Sequence, residues 1–175
     1  FSKPNKFSLN LWRSVTNSLI AEQNLIFRPR FQHKTLQNGE KMRNPYEKCP
    51  VWENENYLLR LIKAEDATDL LAVYSDEKAV PFFNGDNCNG DDFHYTTPER
   101  MQGAVAFWEE AYTEKWFVRW TIIDRRIAKA VGTIELFRRN APDYFNDCGL
   151  LRLDLRSDYE RTEAIADILS LIVPP

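Results

Sequence analysis

The segment from Gly149 to Leu169 has the residue types of an anion-binding turn. Its pattern predicts an apolar strand, a short polar loop and an amphipathic helix. A strand that leads directly into a helix exposes unpaired backbone N–H groups and the positive end of the helix dipole, which together suit a pyrophosphate. The turn contains no glycine, however, since all six glycines of the chain lie at or before Gly149. Its backbone therefore curls around a phosphate less easily than a glycine-rich loop does.

The composition predicts one globular domain in a reducing compartment. The 175 residues are 43% hydrophobic, which is enough for a sizeable core. The three cysteines, Cys49, Cys88 and Cys148, are widely spaced and form no Cys-x-x-Cys pair, which argues against a disulfide framework and a zinc knuckle. No apolar run approaches the roughly 20 residues that span a bilayer. We therefore expect a cytoplasmic protein that has no membrane partner.

Charge is unevenly distributed along the chain. The formal net charge is -3, and acidic and basic residues are interspersed over most of the sequence, which gives no reason to expect a nucleic-acid partner. Residues 1–48, in contrast, carry nine lysines and arginines against three glutamates. This composition predicts a basic amino-terminal extension, which packs on the remaining domain, residues 49–175, or on a second subunit. The alternative, a nucleic-acid arm, lacks the alternating aromatic and basic residues of RNA-binding segments.

Hydrophobic periodicity and capping residues predict a mixed α/β order of strand, two helices, three strands and helix. Asp66 opens the first helix, and Thr97, Pro98 and Glu99 form a typical start for the second, with a capping hydroxyl, a first-turn proline and an early carboxylate. A polar loop is predicted between these helices. The predicted strands cover Tyr57–Lys63, Phe117–Ile123, Ala130–Phe137 and Gly149–Leu155, and the predicted loop covers Pro81–Thr96.

Three segments carry a resemblance to a known family. They are Leu58-Leu-Arg-Leu-Ile-Lys-Ala-Glu-Asp66, Arg119-Trp-Thr-Ile-Ile-Asp124 and Val131-Gly-Thr-Ile-Glu-Leu-Phe137. In this order they resemble the GNAT superfamily of N-acetyltransferases, most closely the branch that acetylates ribosomal-protein alanines. The resemblance covers Tyr57 to Ile172 and implies the acyl-CoA N-acyltransferase-like mixed sheet flanked by helices.

The family fold places further strands after the last predicted helix. Because the sequence ends at Pro175, we expect the domain to be incomplete at its carboxy-terminal end, without these strands. The sequence leaves three alternatives open for the wall that they form. The chain is truncated, the amino-terminal segment replaces the missing strand, or a second subunit donates it, which would make a homodimer.

The resemblance implies acetyl-CoA as co-substrate. Backbone groups of Leu153 and Leu155, on either side of Asp154, would bind the pantetheine amides, and the pyrophosphate would meet Arg156, Arg161 and Thr162. The loop departs from the family pattern of Gln or Arg, two residues, Gly, one residue, and Gly or Ala, because Glu160–Ile165 matches it at no defined position. Ser157 and Glu160 also fit a capping box that would use the same N–H groups. Glu160 and Glu163 would repel the phosphates.

The resemblance also implies direct acyl transfer to an amine, in which a base deprotonates the acceptor and an acid protonates the leaving thiolate. Glu135 is the candidate base, since its apolar strand neighbours would favour the protonated form. The alternative is that Glu135 faces solvent or pairs with Arg119 or Arg152. Asp154 is a second carboxylate near the cleft. The family's tyrosine acid has no counterpart, and Tyr159 is only near in sequence.

Within the predicted loop, Phe82–Thr96 would recognise the acceptor amine. Its aspartates could attract a cation, and its aromatic residues could form apolar walls, although such a loop is equally well explained as a solvated turn. Cys88 and His94 are too few for a metal site, so no metal is expected. The aspartates are Asp86, Asp91 and Asp92, and the aromatic residues are Phe82, Phe83, Phe93 and Tyr95.

Two hypotheses of different classes follow. The first is an N-acetyltransferase that moves an acetyl group from acetyl-CoA to a primary amine of a small molecule or a protein. The second is a non-catalytic domain that keeps the scaffold for ligand sensing or protein association, which the glycine-free turn favours.

Overall fold

The computed structural model describes residues 44–84, 92–139 and 148–173. In these ranges five strands form one antiparallel sheet in the order β1-β2-β3-β4-β5, and helices cover both of its faces. The predicted fold class is confirmed. The strands are β1 (Trp52–Glu53), β2 (Tyr57–Leu61), β3 (Phe117–Asp124), β4 (Lys129–Arg139) and β5 (Cys148–Leu155), and the helices are α1 (Ala67–Tyr74), α2 (Val80–Phe83), α3 (Pro98–Thr113) and α4 (Thr162–Ile172).

Each face of the sheet has its own hydrophobic core because side chains alternate along the strands. On one face, α1 and α3 pack around Tyr74, whose ring lies 5.1 to 6.4 Å from four other aromatic rings. On the other face, α4 buries Ile168 against Trp120 and Leu155. The alternation brings the polar residues of β3, β4 and β5 to the α1 and α3 face, which becomes important for the site.

The close approach of β4 and β5 requires Gly132. The β3–β4 register shifts between Ile122, which pairs with Gly132, and Ile123, which pairs with Ala130, as in a β-bulge. A Cβ atom at Gly132 would lie 2.3 Å from the carbonyl oxygen of Asp154 and 2.7 Å from Leu155 Cδ2. A larger residue would therefore push β5 away from β4.

The predicted start of α3 is confirmed. The Thr97 hydroxyl accepts a hydrogen bond of 3.3 Å from the backbone N–H of Arg100, which satisfies a first-turn donor. Two residues after the end of the helix, Lys115 has a φ of 59°. The N–H of Trp116 donates to the carbonyl of Ala111 at 2.8 Å. This left-handed residue turns the chain directly into β3.

The prediction of a loop at Pro81–Thr96, between the helices α1 and α3, is wrong in its first part. Residues Val80–Phe83 form the short helix α2. Phe83, Phe93 and Tyr95 are 0%, 6% and 3% exposed, because they pack against Tyr74 in the core and do not form the walls of a site. Asp86, Cys88 and Asp91 lie outside the described residues.

The segment before β1 contacts the domain. Tyr112 donates a hydrogen bond of 2.7 Å from its hydroxyl to the carbonyl of Pro45, and Trp120 donates one of 2.9 Å from Nε1 to the carbonyl of Pro50. Residues 1–43 lie outside the described ranges, so the division at residue 48 stays a prediction. Within those ranges no helix is long and apolar enough to span a bilayer, and no cluster of His, Cys, Asp and Glu could hold a metal ion.

Candidate functional site: the β5 edge and the α4 amino terminus

The outer edge of β5 carries backbone groups of Leu153 and Leu155 that do not pair with β4, although Leu155 itself is buried. Within the described sheet β5 pairs with β4 alone. The N–H of Arg156 donates to the carbonyl of Val131 at 3.0 Å, which makes these two residues a hydrogen-bonded pair. Because such pairs alternate with non-bonded pairs in an antiparallel ladder, Leu155 and Leu153 belong to the non-bonded pairs. Their N–H and C=O groups consequently point away from β4, as the sequence analysis requires for a pantetheine site.

The predicted capping box of Ser157 and Glu160 is wrong. Ser157–Tyr159 forms a separate 3-10 turn, and α4 begins only at Thr162. The backbone N–H of Ser157 donates to Oδ2 of Asp76, at 2.9 Å, which anchors this turn to the end of α1. Ser157 is therefore four residues too early in the chain to cap α4, whose N-cap residue is Arg161.

The first turn of α4 instead keeps its backbone donors. Arg161 is the N-cap residue, and its side chain makes no capping hydrogen bond. The N–H of Ile165 makes the helical bond to the carbonyl of Arg161, at 3.0 Å. The N–H groups of Thr162, Glu163 and Ala164 precede this bond and point out of the helix end, where the dipole favours an anion.

The two arginines of the predicted pyrophosphate clamp have different environments. Arg156 donates two hydrogen bonds to Asp158, at 2.6 and 2.9 Å, and this contact raises the pKa of Arg156. Its guanidinium also lies 5.2 Å from the ring centroid of Tyr159. Arg161, in contrast, is exposed at the start of α4. Arg161 is therefore better placed than Arg156 to meet a phosphate.

Glu160 has an unusual environment between the 3-10 turn and α4. Burial, together with the nearby charge of Asp154, raises the pKa of its carboxyl to about 7. Sequence reasoning considered Glu160 only as a capping or repelling residue. It missed the titration near neutral pH because the position of Asp154 relative to Glu160 depends on the fold.

Glu135 lies in a buried ionic network centred on Arg119. Arg119 donates to Oε2 of Glu135 through both Nε, at 2.9 Å, and Nη2. Its Nη1 reaches the hydroxyls of Tyr74 and Thr133, at 2.9 and 3.0 Å, and Oδ2 of Asp154, at 3.2 Å. Of the alternatives for Glu135, pairing with Arg119 is the one observed. Burial alone would lower the pKa of Arg119, but its anionic neighbours hold it above its usual value.

Arg152 extends this network to α2. It donates from Nε to Oδ1 of Asp154, at 2.9 Å, and from Nη2 to the carbonyl of Phe83, at 2.5 Å. Its guanidinium lies 4.1 Å from the ring centroid of Phe93. Two arginines and two carboxylates thus balance each other in the core, which is the usual condition for burying charge.

Tyr159 uses its hydroxyl inside the protein. It donates a hydrogen bond of 2.7 Å to Oδ2 of Asp124, and burial together with this bond raises the pKa of Tyr159 to about 12. Arg126, which binds the same carboxylate, lowers the pKa of Asp124 to about 2. The hydroxyl of Tyr159 is thereby committed to the hairpin between β3 and β4.

The structure thus separates the predicted site residues into two groups. Leu153, Leu155, Arg161 and Thr162 follow one line, from the outer edge of β5 to the amino terminus of α4. The side chains of Glu135 and Asp154 lie on the sheet face covered by α1 and α3, in the ionic network. The first group combines backbone groups that face away from β4 with the uncapped N–H groups of a helix start, and the second group holds the two carboxylates.

Comparisons with known proteins concern the fold. No protein-family model and no curated protein matches the chain. Among solved structures, the chain is similar to a GNAT-family acetyltransferase from Bacillus anthracis, with 12% identity, a TM-score of 0.50, and coverage of 70% of this chain and 63% of that protein. It is also similar to a GCN5-related N-acetyltransferase from Brucella melitensis, with 14% identity, a TM-score of 0.51, and coverage of 70% and 52%.

A third similar structure is a ribosomal-protein-S5-alanine acetyltransferase from Vibrio fischeri, with 18% identity, a TM-score of 0.48, and coverage of 69% of this chain and 66% of that protein. The chain therefore spans about two thirds or less of the length of these three proteins. The Bacillus and Brucella proteins support the fold assignment without the Vibrio protein. The described part of the chain has the fold of the GNAT acetyltransferases.

Proposed function

We propose that the protein is an N-acetyltransferase that moves an acetyl group from acetyl-CoA to a primary amine of a small molecule or a protein. The observation that carries this proposal is the alignment of the outward-facing backbone of β5 with the uncapped first turn of α4. The pantetheine of acetyl-CoA would add to β5 like half a strand, through its amide groups. Its pyrophosphate would then accept hydrogen bonds at the amino terminus of α4.

In the proposed reaction the amine nitrogen attacks the thioester carbonyl and forms a C–N bond, the C–S bond breaks so that CoA leaves as its thiolate, and the nitrogen loses a proton. Glu135 is our candidate for accepting that proton, directly or through water. Both hydrogen bonds from Arg119 to Glu135 end on Oε2 of the glutamate. Within the described residues, Oε1 of Glu135 makes no hydrogen bond. The network would thus orient the carboxylate through one oxygen and leave the other for the proton.

The test of the binding site is a titration with two thioesters. Acetyl-CoA carries the pyrophosphate, whereas acetyl-pantetheine carries the amides alone. Binding of acetyl-CoA in the micromolar range, about 8 kcal/mol, with weaker binding of acetyl-pantetheine, is the expected result. At 100 times the dissociation constant, acetyl-CoA should add about 2.7 kcal/mol to the free energy of unfolding.

A second candidate function is supported by the turn after β5. Arg156 is bound to Asp158, and the N–H of Ser157 to Asp76, so part of the usual anion site is satisfied internally. A non-catalytic scaffold would show this arrangement and would bind neither thioester. If both thioesters leave the melting temperature unchanged, this second function replaces the first.

The test of the base is the Glu135→Gln variant in an acyl-transfer assay with a panel of amines. A base in this position contributes roughly 100-fold or more to the rate. The assay should be run well below the melting temperature of the variant, so that the folded fraction is known. Unchanged transfer by folded Glu135→Gln would exclude Glu135 as the base while leaving the acetyltransferase proposal intact.

A further inference from the structure

A pair of exposed aromatic side chains lies at α3, one within the helix and one just after its end. Phe107 and Trp116 are each 43% exposed, and their ring centroids lie 6.0 Å apart. Phe107 also contacts the buried Phe117, at 6.3 Å between centroids, so the pair is attached to the core on one side only. Two adjacent exposed aromatic residues are more informative than scattered ones, because they offer a continuous apolar contact surface.

Two glutamates border this aromatic pair. Glu110 and Glu114 follow Phe107 by three and seven residues, which places all three side chains on one face of the helix. Both glutamates are exposed. We call Phe107, Glu110, Glu114 and Trp116 the α3 patch. Its chemistry is apolar and anionic, and it suits a partner that carries both apolar and cationic side chains.

The amino-terminal segment joins the described domain at the same end of α3. The hydroxyl of Tyr112 donates to the carbonyl of Pro45, at 2.7 Å, and the ring of Tyr46 lies 5.6 Å from the ring of Tyr112. The N–H of Lys115 donates to the carbonyl of Tyr112, at 3.1 Å, one residue before Trp116. The described chain therefore begins against the last turns of α3, the helix that carries Phe107 and Glu110.

The charges of the two parts of the chain are complementary. Residues 1–43 carry eight lysines and arginines against two glutamates, whereas the other 132 residues carry 15 against 24 acidic residues. The segment also contains the apolar residues Leu9, Trp12, Val15, Leu19 and Ile20. A tethered cationic segment has a high effective concentration at a nearby anionic surface, so even weak contacts are populated.

We propose that residues 1–43 dock in cis on the α3 patch, with basic side chains on Glu110 and Glu114 and apolar side chains on Phe107 and Trp116. This inference is independent of the proposed acetyl transfer. It assigns the basic extension an intramolecular partner and gives the exposed aromatic pair a cover.

The test is carbodiimide cross-linking of the full chain, which couples carboxylates to lysine amines without a spacer. An equal mixture of unlabelled and ¹⁵N-labelled protein distinguishes links within a chain from links between chains. The expected result is that Lys3, Lys6, Lys34 or Lys41 links to Glu110 or Glu114 within one chain. The links should fall about threefold or more between 20 mM and 500 mM salt, because salt screens exposed charges.

The matched variants are Glu110→Gln with Glu114→Gln, and, as a control, Glu77→Gln with Glu99→Gln, which changes two exposed glutamates away from the α3 patch. The first pair should remove the links to the patch without creating equivalent links elsewhere, and the control pair should leave them unchanged. A Trp116→Ser variant should weaken the same links through the loss of the apolar contact.

Three results would overturn the proposal. Links that join labelled to unlabelled chains would show that a second copy supplies the basic segment. Links of equal yield to Glu77 or Glu99 would show that the segment samples the whole acidic surface. Absence of any link from residues 1–43 to the α3 patch at low salt would show that the patch binds something else.

Discussion

Arg119 and Glu135 lie directly opposite each other on β3 and β4, and both side chains are almost completely buried. The pair stands at the centre of a network in which Tyr74, Thr133 and Asp154 accept hydrogen bonds from Nη1 of Arg119. Trp108 covers the guanidinium plane, at 4.1 Å from its ring centroid. A buried cation with this many partners depends on each of them, because water cannot replace a lost contact.

Glu135→Gln should therefore be strongly destabilising. Removal of one partner from a buried ion pair leaves the other charge uncompensated, and we expect a loss of about 3 kcal/mol in the free energy of unfolding. Urea denaturation at pH 7 measures this loss. The control is Glu53→Gln, which breaks the exposed pair with Arg125 and should change the free energy by less than about 0.5 kcal/mol. Equal effects of the two variants would contradict the central role of the network.

Gly132→Ala tests the close approach of β4 and β5. The new Cβ atom would meet backbone at 2.3 Å, so β5 must shift, and we expect a loss of about 2 kcal/mol in stability. Gly103→Ala is the matched control, since nothing lies within 4 Å of that position on α3. The control should gain about 0.5–1 kcal/mol from helix propensity. Thermal unfolding of both variants measures these changes in stability. An unchanged melting temperature for Gly132→Ala would show that β5 moves away without an energetic cost.

Local patterns were sufficient to predict most of the elements. The alternation of apolar residues predicted β3, β4 and β5, and Thr97 with Pro98 predicted the start of α3, because these signals depend on neighbours in sequence. The two-residue strand β1 was not predicted. It is held by pairing with Leu58 and Leu59 and by packing of Trp52 on Trp120, which the sequence of the strand itself does not reveal.

Long-range contacts explain what the sequence could not predict at the candidate site. Ser157 resembles a helix cap, but Asp76, 81 residues earlier, takes its backbone N–H and holds it in a separate turn. Pairing of Glu135 with an arginine was one of two alternatives, and only the register of β3 against β4 selects Arg119. The resemblance, in contrast, correctly indicated β5 as the strand before the last helix, because the residues of this strand are contiguous in the sequence.

Glu160→Gln should change the pH dependence of stability. In the unfolded chain Glu160 loses its proton near its ordinary value of 4.5, whereas the folded protein holds it to about pH 7. Between these values the folded state binds more protons, so ionisation of Glu160 lowers stability as the pH rises through this window. The difference is on the order of 1–2 kcal/mol after allowance for the exposed part of the side chain.

The variant removes this titration, so it should be more stable than the parent at pH 8 and equally stable near pH 4. Urea denaturation of both proteins at pH 4, 6 and 8 measures the difference. Glu163→Gln, which changes an exposed carboxylate three residues later, is the control and should show no such trend. A constant difference between Glu160→Gln and the parent from pH 4 to pH 8 would contradict the assigned environment.

Thr162→Glu separates binding at the α4 amino terminus from stability. Thr162 is the exposed first residue of α4, where a negative charge interacts favourably with the helix dipole, by less than about 1 kcal/mol. The same charge would repel a pyrophosphate. We therefore expect an unchanged or slightly raised melting temperature together with an acetyl-CoA dissociation constant that rises about tenfold, or about 1.4 kcal/mol.

Two comparisons locate the effect of Thr162→Glu. Thr162→Gln has nearly the same size and no charge, so it should bind acetyl-CoA almost as the parent does. Acetyl-pantetheine lacks the pyrophosphate, so its affinity should be the same for all three proteins, since the β5 edge is untouched. If Thr162→Glu weakens both thioesters equally, the substitution has disturbed β5, and if it weakens neither, the phosphates bind away from the amino terminus of α4.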